Sequence, residues 1–269
     1  MLRISDVAAV FAKLLRSTKW GGAGDIVISL MNGDCLELMK NIPDNSVDMI
    51  LCDLPYGTTH CEWDIAIDLG ALWTQYNRIL KPSGAAVLFG SEPFSTKLRM
   101  SNLKNFRYDW IWEKPRGSGF IRCNIAPLKT HEIISVFGKH MPAYYPQMIP
   151  GKYYGKKDPT GYVPDYLNNG GKIHMRSKND GRFRYPKSIL HFNCETGAHP
   201  TQKPVALLEY LINTYTLPGD VVLDNCMGSG STGVACVNTG RDFIGIELDN
   251  KFFDIAAMRI SEAEGQLKL

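Results

Sequence analysis

Apolar positions along this chain come in two textures that alternate. Ile26–Met31, Val47–Cys52, Ala85–Phe89, Val221–Leu223 and Phe243–Ile246 are short apolar runs bounded by turn residues, the pattern of strands buried in a sheet. Between them, Cys35–Asn41, Ile65–Leu80, the stretch from Pro93 to about Leu103, Val205–Tyr215, Gly233–Asn238 and Asn250–Ser261 read as helices. In the last of these Phe253, Ala256, Ala257 and Ile260 share one face. Strands separated by helices predict an α/β fold with a doubly wound, mainly parallel sheet. Two segments depart from that rhythm. Phe106–Glu113 alternates in character and Glu132–Phe137 is apolar, which predicts an antiparallel hairpin at the sheet edge. Residues 1–20 read as an amphipathic helix with Ile4, Val7, Phe11, Leu14 and Leu15 on one face, packed on the domain or on a second subunit. Gly21-Gly22-Ala23-Gly24 breaks the chain after it.

Length fits one α/β domain with a modest insertion: 269 residues, 44% of them hydrophobic. The predicted organisation is an N-terminal helix and linker (1–24), a main domain (25–137 and 196–269) and an inserted region (138–195). Charge changes the picture only through its distribution. The chain carries +3 in total, yet residues 138–190 hold ten Lys or Arg against three Asp, a local +7. Tyr144, Tyr145, Tyr153, Tyr154, Tyr162, Tyr166, Phe183 and Tyr185 interleave with those bases. Cations for phosphate and rings for stacking are what a nucleic-acid surface needs. Candidate contacts there are Lys152, Lys156, Lys157, Arg176, Arg182 and Arg184. Lys114 and Arg116 join them from a basic loop predicted at 114–120. Seven cysteines occur without a Cys-x-x-Cys pair, so there is no zinc signature, and reduced thiols in a cytoplasm are expected. His60 and Cys61, two lone ligands, make a poor metal site, and none is predicted. No apolar run reaches membrane-spanning length, and no signal-peptide cleavage pattern follows the first helix.

Two stretches carry chemistry. Asp53-Leu54-Pro55-Tyr56 stands at the C-terminal end of the Val47–Cys52 run, the edge at which open α/β sheets bind ligands. Proline stiffens the turn. A carboxylate, the Leu54 carbonyl and a flat ring suit a planar base bearing an amino group. Taken alone, the four residues also fit a strand-ending turn with Asp53 as a cap and Tyr56 as packing. The second stretch, Asp224-Asn225-Cys226-Met227-Gly228-Ser229-Gly230-Ser231-Thr232, is a strand end, a Gly-rich turn and a helix start. Glycines admit a ligand close to the backbone, and the helix start offers free N–H groups. The next strand ends in Glu247, the position of a ribose-binding acid in nucleotide-type sites. A phosphate-binding P-loop would need a Lys before Ser231, where this chain has Gly230.

Together these stretches resemble the S-adenosylmethionine-dependent amino-methyltransferases of DNA in their permuted β-group order, in which the catalytic motif precedes the cofactor loop. Asp53-Leu54-Pro55-Tyr56 looks like the Asp-Pro-Pro-Tyr motif, with Leu54 in place of the first proline. Asp224–Thr232 looks like the cofactor loop. His199-Pro200-Thr201-Gln202-Lys203-Pro204 looks like the segment leading into the helix before that loop, and Asn32-Gly33-Asp34-Cys35 like the turn at the cofactor's adenine. The resemblance implies a seven-stranded Rossmann-like sheet of the class I methyltransferases. It implies S-adenosylmethionine held by Asp34, Cys35, Asp53, His199, Thr201, Lys203, Asp224, Met227, Gly228, Ser229, Gly230, Ser231, Thr232, Glu247 and Leu248. Catalysis falls to Asp53, Leu54, Pro55 and Tyr56, and target recognition to residues 138–195. The implied reaction is N6 methylation of an adenine flipped out of duplex DNA by a stand-alone bacterial or phage enzyme, with or without a cognate restriction nuclease, as monomer or dimer. The rivals are N4 methylation of cytosine, where the resembled enzymes usually carry Ser at the position of Asp53, methylation of RNA or protein glutamine, and a binding module that has lost catalysis.

Overall fold

A computed structural model describes residues 26–57, 66–153, 162–165, 171–174, 181–195 and 202–266. In chain order the main elements are β1 (Ile28–Asn32), α1 (Cys35–Leu38), β2 (Val47–Cys52), α2 (Leu69–Ile79), β3 (Leu80–Gly90), α3 (Phe94–Ser101), β4 (Phe106–Ser118) and β5 (Lys129–Phe137). Four short strands follow: β6 (Ile149–Pro150), β7 (Tyr162–Asp165), β8 (Gly171–His174) and β9 (Phe183–Arg184). The chain closes with β10 (Ile189–His191), α4 (Val205–Tyr215), β11 (Val221–Asp224), α5 (Ser231–Thr239), β12 (Asp242–Glu247) and α6 (Asn250–Gln266).

β2 shows why the sheet is doubly covered. Met49 and Leu51 enter one apolar layer, with α4, α5 and α6; Ile50 and Cys52 enter the other, with α1, α2 and α3. Alternation with both faces apolar is the signature of a strand between two helical layers. The sheet order is β1-β12-β11-β2-β3-β5-β4-β10. From β11 the chain winds outward through β12, and from β2 it winds the other way through β3. The boundary between β11 and β2 is therefore the point at which strand order reverses, and a crevice opens at their C-terminal ends. Leu223 lies opposite Ile50 in the parallel β11–β2 pair, so Asp53 and Asp224 leave adjacent strands at one edge of the sheet.

The mainly parallel sheet and its antiparallel hairpin (β4 with β5, and β5 with β3) are as the pattern predicts. Several details differ. The sheet has eight strands rather than seven, because β10 adds in parallel to β4, and three residues are too few to show a period. Helix α2 begins at Leu69, not Ile65, since Asp68 caps it by accepting the Ala71 N–H at 2.6 Å. Lys81–Gly84, between the predicted helix Ile65–Leu80 and the apolar run from Ala85, lies within β3, beside a register shift against β2. The basic loop expected from Lys114 is strand through Ser118, which faces Lys129.

The chain divides into two compact units. One holds the described residues up to Tyr145 and from Ser188 onward; the other is Pro146–Lys187. Within the second, β6 pairs with β9 and β7 with β8, both antiparallel. The N-terminal helix expected over residues 1–20 lies outside the described residues. Among those described, no helix is long and apolar enough to cross a membrane.

One glycine fixes how closely α6 approaches the loop before α5. Gly230 has φ +80°, and a Cβ there would stand 2.8 Å from Ala256 Cβ and 2.9 Å from Ala256 Cα. A left-handed non-glycine residue costs about 1–2 kcal/mol and overpacking about 1–3 kcal/mol more. Gly230→Ala is expected to lower stability by roughly 2–5 kcal/mol in urea unfolding, with a melting temperature lower by about 5–15 °C.

Candidate active site

Alternation continues past β2. Leu54 is buried in the layer of Ile50 and Cys52, which turns Asp53 toward the layer of α4. Lys203, two residues before α4, meets it there: its ammonium is bonded to Asp53 Oδ2 and lies 5.2 Å from the centre of the Phe89 ring. Glu195 fixes this approach by accepting the Val205 N–H at 3.0 Å, a cap that Pro204 has no side chain to provide. The other oxygen of Asp53 accepts the Tyr56 hydroxyl at 2.7 Å. Phe94 at the start of α3 stacks on the Tyr56 ring, centroids 4.8 Å apart at 24°. Burial, then the charges of Asp53 and Glu132, push the Tyr56 phenol well above its ordinary range, so it stays a neutral donor.

The cluster extends to the hairpin. Glu132 on β5 stands with its Oε2 3.5 Å from Lys203 Nζ, and its Oε1 is bonded to Lys114 on β4. Lys114 also lies 4.9 Å from the centre of the Trp112 ring. Four charges thus alternate in sign: Asp53, Lys203, Glu132, Lys114. Burial pulls Lys203 down, but Asp53 and Glu132 outweigh it and raise the ammonium above its usual value. Burial likewise pushes Glu132 up, and its two lysines more than reverse that. Both groups are therefore held in their charged forms.

The Gly-rich loop lies at the neighbouring strand end. Asp224, at the end of β11, is buried; it accepts the Thr232 hydroxyl at 2.6 Å and the Cys226 N–H at 3.1 Å. These bonds fold the loop back onto the first turn of α5. Glu247, at the end of β12, accepts the Gly228 N–H at 2.8 Å and the Asp249 N–H at 2.9 Å. Gly228 has φ +51°, and among the described residues an added Cβ there would meet nothing within 4 Å. Arg259 on α6 braces the loop from behind, donating to the Ser229 carbonyl at 2.6 Å and hydroxyl at 2.9 Å. Tyr76 on α2 donates to Asn225 Oδ1 at 2.5 Å. Across the crevice Asp34 caps α1 through the Leu36 and Glu37 N–H groups, with buried Cys35 next to it. Burial pushes the thiol of Cys52, beneath this loop, up to about 12.

The structure thus brings together Asp53, Leu54, Tyr56 and Lys203, and around the loop Asp224, Met227–Thr232 and Glu247. Leu248 is exposed just beyond. His199, Thr201, Lys156, Lys157, Arg176, and the loop bearing His60 and Cys61, lie outside the described residues. In the Pro146–Lys187 unit, the Arg184 guanidinium is bonded to the carbonyls of Gly181, Phe183 and Lys152. Among the described residues, no group of three His, Cys, Asp or Glu side chains is placed to hold a metal ion. Glu132, Phe94, Arg259, Glu195 and Tyr76 were not read from the sequence. The one available signal was Glu132, an acid opening an otherwise apolar strand.

The donor set fits a nucleoside with an amino-acid tail. An acid, Glu247, stands at the end of β12, the start of α5 offers N–H groups without intrahelical partners, and among the described residues nothing lies within 4 Å of a Cβ added at Gly228. Comparisons with known proteins agree. Residues 47–258 match the family model described as DNA methylase. The type II methyltransferase M.BglII of Bacillus subtilis is 30% identical over 254 residues, 86% of this chain and 68% of that protein. M.HpaI of Haemophilus parainfluenzae, also a type II methyltransferase, is 28% identical over 254 residues, 88% of this chain and 75% of that one. A solved M1.HpyAVI–SAM complex covers 87% of this chain and 100% of its own at 27% identity, with a TM-score of 0.56. PvuII DNA methyltransferase, cytosine-N4-specific, shares the fold at 18% identity and a TM-score of 0.62, over 90% of this chain and 92% of that one.

Burial raises the Asp224 carboxyl from 3.8 to about 6, against the hydrogen bonds from Thr232 and Cys226 that lower it. Between those values the folded state binds a proton that the unfolded state has lost. The stabilisation is full below about pH 4 and disappears as pH rises past 6. Stability of the ligand-free protein should fall by about 1 kcal/mol between pH 5 and pH 7 through this group. In Asp224→Asn that share of the slope is expected to vanish, read as the difference between variant and parent in urea unfolding at the two pH values.

Proposed function

This chain belongs to the DNA methylase family, and we propose that its target is the exocyclic amine of an adenine flipped out of duplex DNA. As a member of that family it transfers methyl groups from S-adenosylmethionine to DNA. The observation that carries the finer reading is the Asp53 carboxylate, held by Tyr56 and Lys203 at the strand end next to the Gly-rich loop.

An exocyclic amine is a poor nucleophile because its lone pair is delocalised into the ring. Asp53 and the Leu54 carbonyl supply two acceptors for its N–H bonds. Accepting them makes the nitrogen more pyramidal and stabilises the positive charge that grows on it. Bound S-adenosylmethionine would supply the electrophilic methyl group, its S–CH3 bond breaking to leave S-adenosylhomocysteine. When the new C–N bond forms, the nitrogen sheds a proton, and Asp53 is the acceptor at hand. Phe94 backs one face of the Tyr56 ring, which leaves the opposite face to stack on the base and fix its plane. In a duplex this nitrogen is inside the helix, so the base is extruded at a cost of a few kcal/mol. Lys203 would lie near the meeting point of cofactor and base; Glu247 would take ribose hydroxyls, Asp224 would hold the loop in shape through Thr232 and Cys226, and the start of α5 would take the carboxylate.

The basic region around Pro146–Lys187, with Lys152, Lys156, Lys157, Arg176 and Arg182, is read as the target-recognition surface; its charge supports that reading. Bacterial type II methyltransferase relatives support a cytoplasmic setting.

The test uses purified protein, methyl-labelled S-adenosylmethionine and unmethylated duplex DNA, with products digested to nucleosides. Label in N6-methyldeoxyadenosine is the expected outcome. Label in N4-methyldeoxycytidine would overturn the base, and absence of label from DNA would overturn the substrate. Asp53→Ala is expected to lower kcat by at least about 10²–10³-fold while the cofactor dissociation constant stays measurable by calorimetry.

A further inference from the structure

Asp53 has a conflict built into it. Its Oδ1 already accepts from Tyr56 and its Oδ2 from the Lys203 ammonium, so a target amine donating to Asp53 must compete with one of them for the same oxygen. Drawing Lys203 off Asp53 with no other partner would leave a buried ammonium without a counter-ion, which proteins avoid. A second carboxylate is within reach. Glu132 Oε2 is buried, has no hydrogen-bond partner among the described residues, and lies 3.5 Å from Lys203 Nζ. That is ion-pair range but outside a good hydrogen bond. A shift of roughly 0.7 Å would bring the pair to the ~2.8 Å of a charge-assisted bond. The other oxygen of Glu132 is pinned by Lys114, so the carboxylate is already aimed. Exposure decides which end of the chain a substrate reaches: the Asp53 side chain is 30% exposed, Glu132 13% and Lys203 9%.

We infer that Glu132 is the second seat of Lys203: as the target amine donates to Asp53, the ammonium passes from Asp53 to Glu132, and the acceptor is freed without stranding a charge. Glu132 is a positioning residue that touches neither base nor cofactor. The inference rests on the amino-transfer reading above and extends it. It holds for either base, since both present a conjugated amine.

The test reads binding rather than turnover. Duplexes carry the modified sequence found in the labelling assay, with the target base either intact or lacking its amino group (purine for adenine, 2-pyrimidinone for cytosine). S-adenosylhomocysteine is present, so no methyl is transferred. The parent protein is expected to prefer the amino base by about tenfold or more, the worth of one hydrogen bond to a charged group. In Glu132→Gln, Lys203 has nowhere to go, and the preference should shrink to under about threefold. Glu132→Asp, which keeps the charge, should restore part of it. A parent protein with no preference takes down the amino-transfer reading and this inference together. A preference undiminished in Glu132→Gln overturns this inference alone. A crystal structure of the parent complex with DNA needs no variant to fold. There Lys203 Nζ is expected closer to Glu132 than to Asp53, and an ammonium still bonded to Asp53 would overturn the inference.

Discussion

A carboxylate that must be ionised, half-enclosed and ready to accept a hydrogen bond cannot stand alone. Removing either partner of a buried ion pair costs about 3–5 kcal/mol, because the remaining charge is left uncompensated. The Asp53–Lys203 pair is that constraint here, and much of the molecule is arranged to meet it. β2 brings Asp53 to the crevice, and the capped start of α4 brings Lys203. Lys203 has N–H donors beyond the one given to Asp53, and the hairpin sets Glu132 near it, whose added negative charge is in turn balanced by Lys114. Three stretches distant in sequence (the end of β2, the β4–β5 hairpin and the start of α4) thereby converge on one neutral set of charges. The antiparallel β5, which a purely parallel sheet would lack, places Glu132 beside an element from the other end of the chain.

The cofactor half solves a different problem. A loop that approaches a ligand closely must be glycine-rich, and such a loop is floppy unless tied down. It is tied at every step: Asp224 to Thr232 and Cys226, Glu247 to Gly228, Arg259 to Ser229, Tyr76 to Asn225. These ties come from both helical layers, which is why the ends of β11 and β12 can present acids in fixed positions. One tie carries a cost. Asp224 is buried deeply enough that its carboxyl is pushed up to about 6, so carrying it ionised costs stability.

The two loops at the strand ends were legible in the sequence because both follow unbroken apolar runs and both contain residues with few other uses there. A strand such as Val221–Leu223 that stops at Asp224 and runs into Gly228 and Gly230 announces a ligand edge. The doubly wound order was legible for the same reason, strands and helices being long enough to show their periods. Glu132 was not, because its meaning lies in the register that sets it near Lys203, a pairing across about seventy residues. Lys114 read as part of a basic loop since Pro115, Gly117 and Gly119 punctuate it, yet strand pairing carries through to Ser118 despite a register shift. β10 escaped notice because only its docking against Trp112 and its neighbours makes it a strand. The start of α2 moved by four residues because the cap at Asp68 outweighs the apolar residues before it.

Enclosing Asp53 between Tyr56 and Lys203 also bears on what the site accepts. In the free protein the carboxylate is satisfied, so water and stray cations gain little by binding it. On the proposed reading an incoming group must share or displace an existing partner, and a donor oriented toward the Asp53 oxygen, with its ring against Tyr56, recovers most of what it perturbs. A carbonyl at the same position would face an acceptor and would lose. Discrimination between an amine and a carbonyl on otherwise similar rings then comes largely from penalising the wrong group, which is how buried polar sites reach selectivities that packing alone does not give. A hydroxyl at position 53 would neither hold Lys203 nor impose that penalty as strongly. Asp53, Lys203 and Glu132 are best understood as one unit, whose identity matters more to the chemistry than the Leu54 that departs from the usual motif.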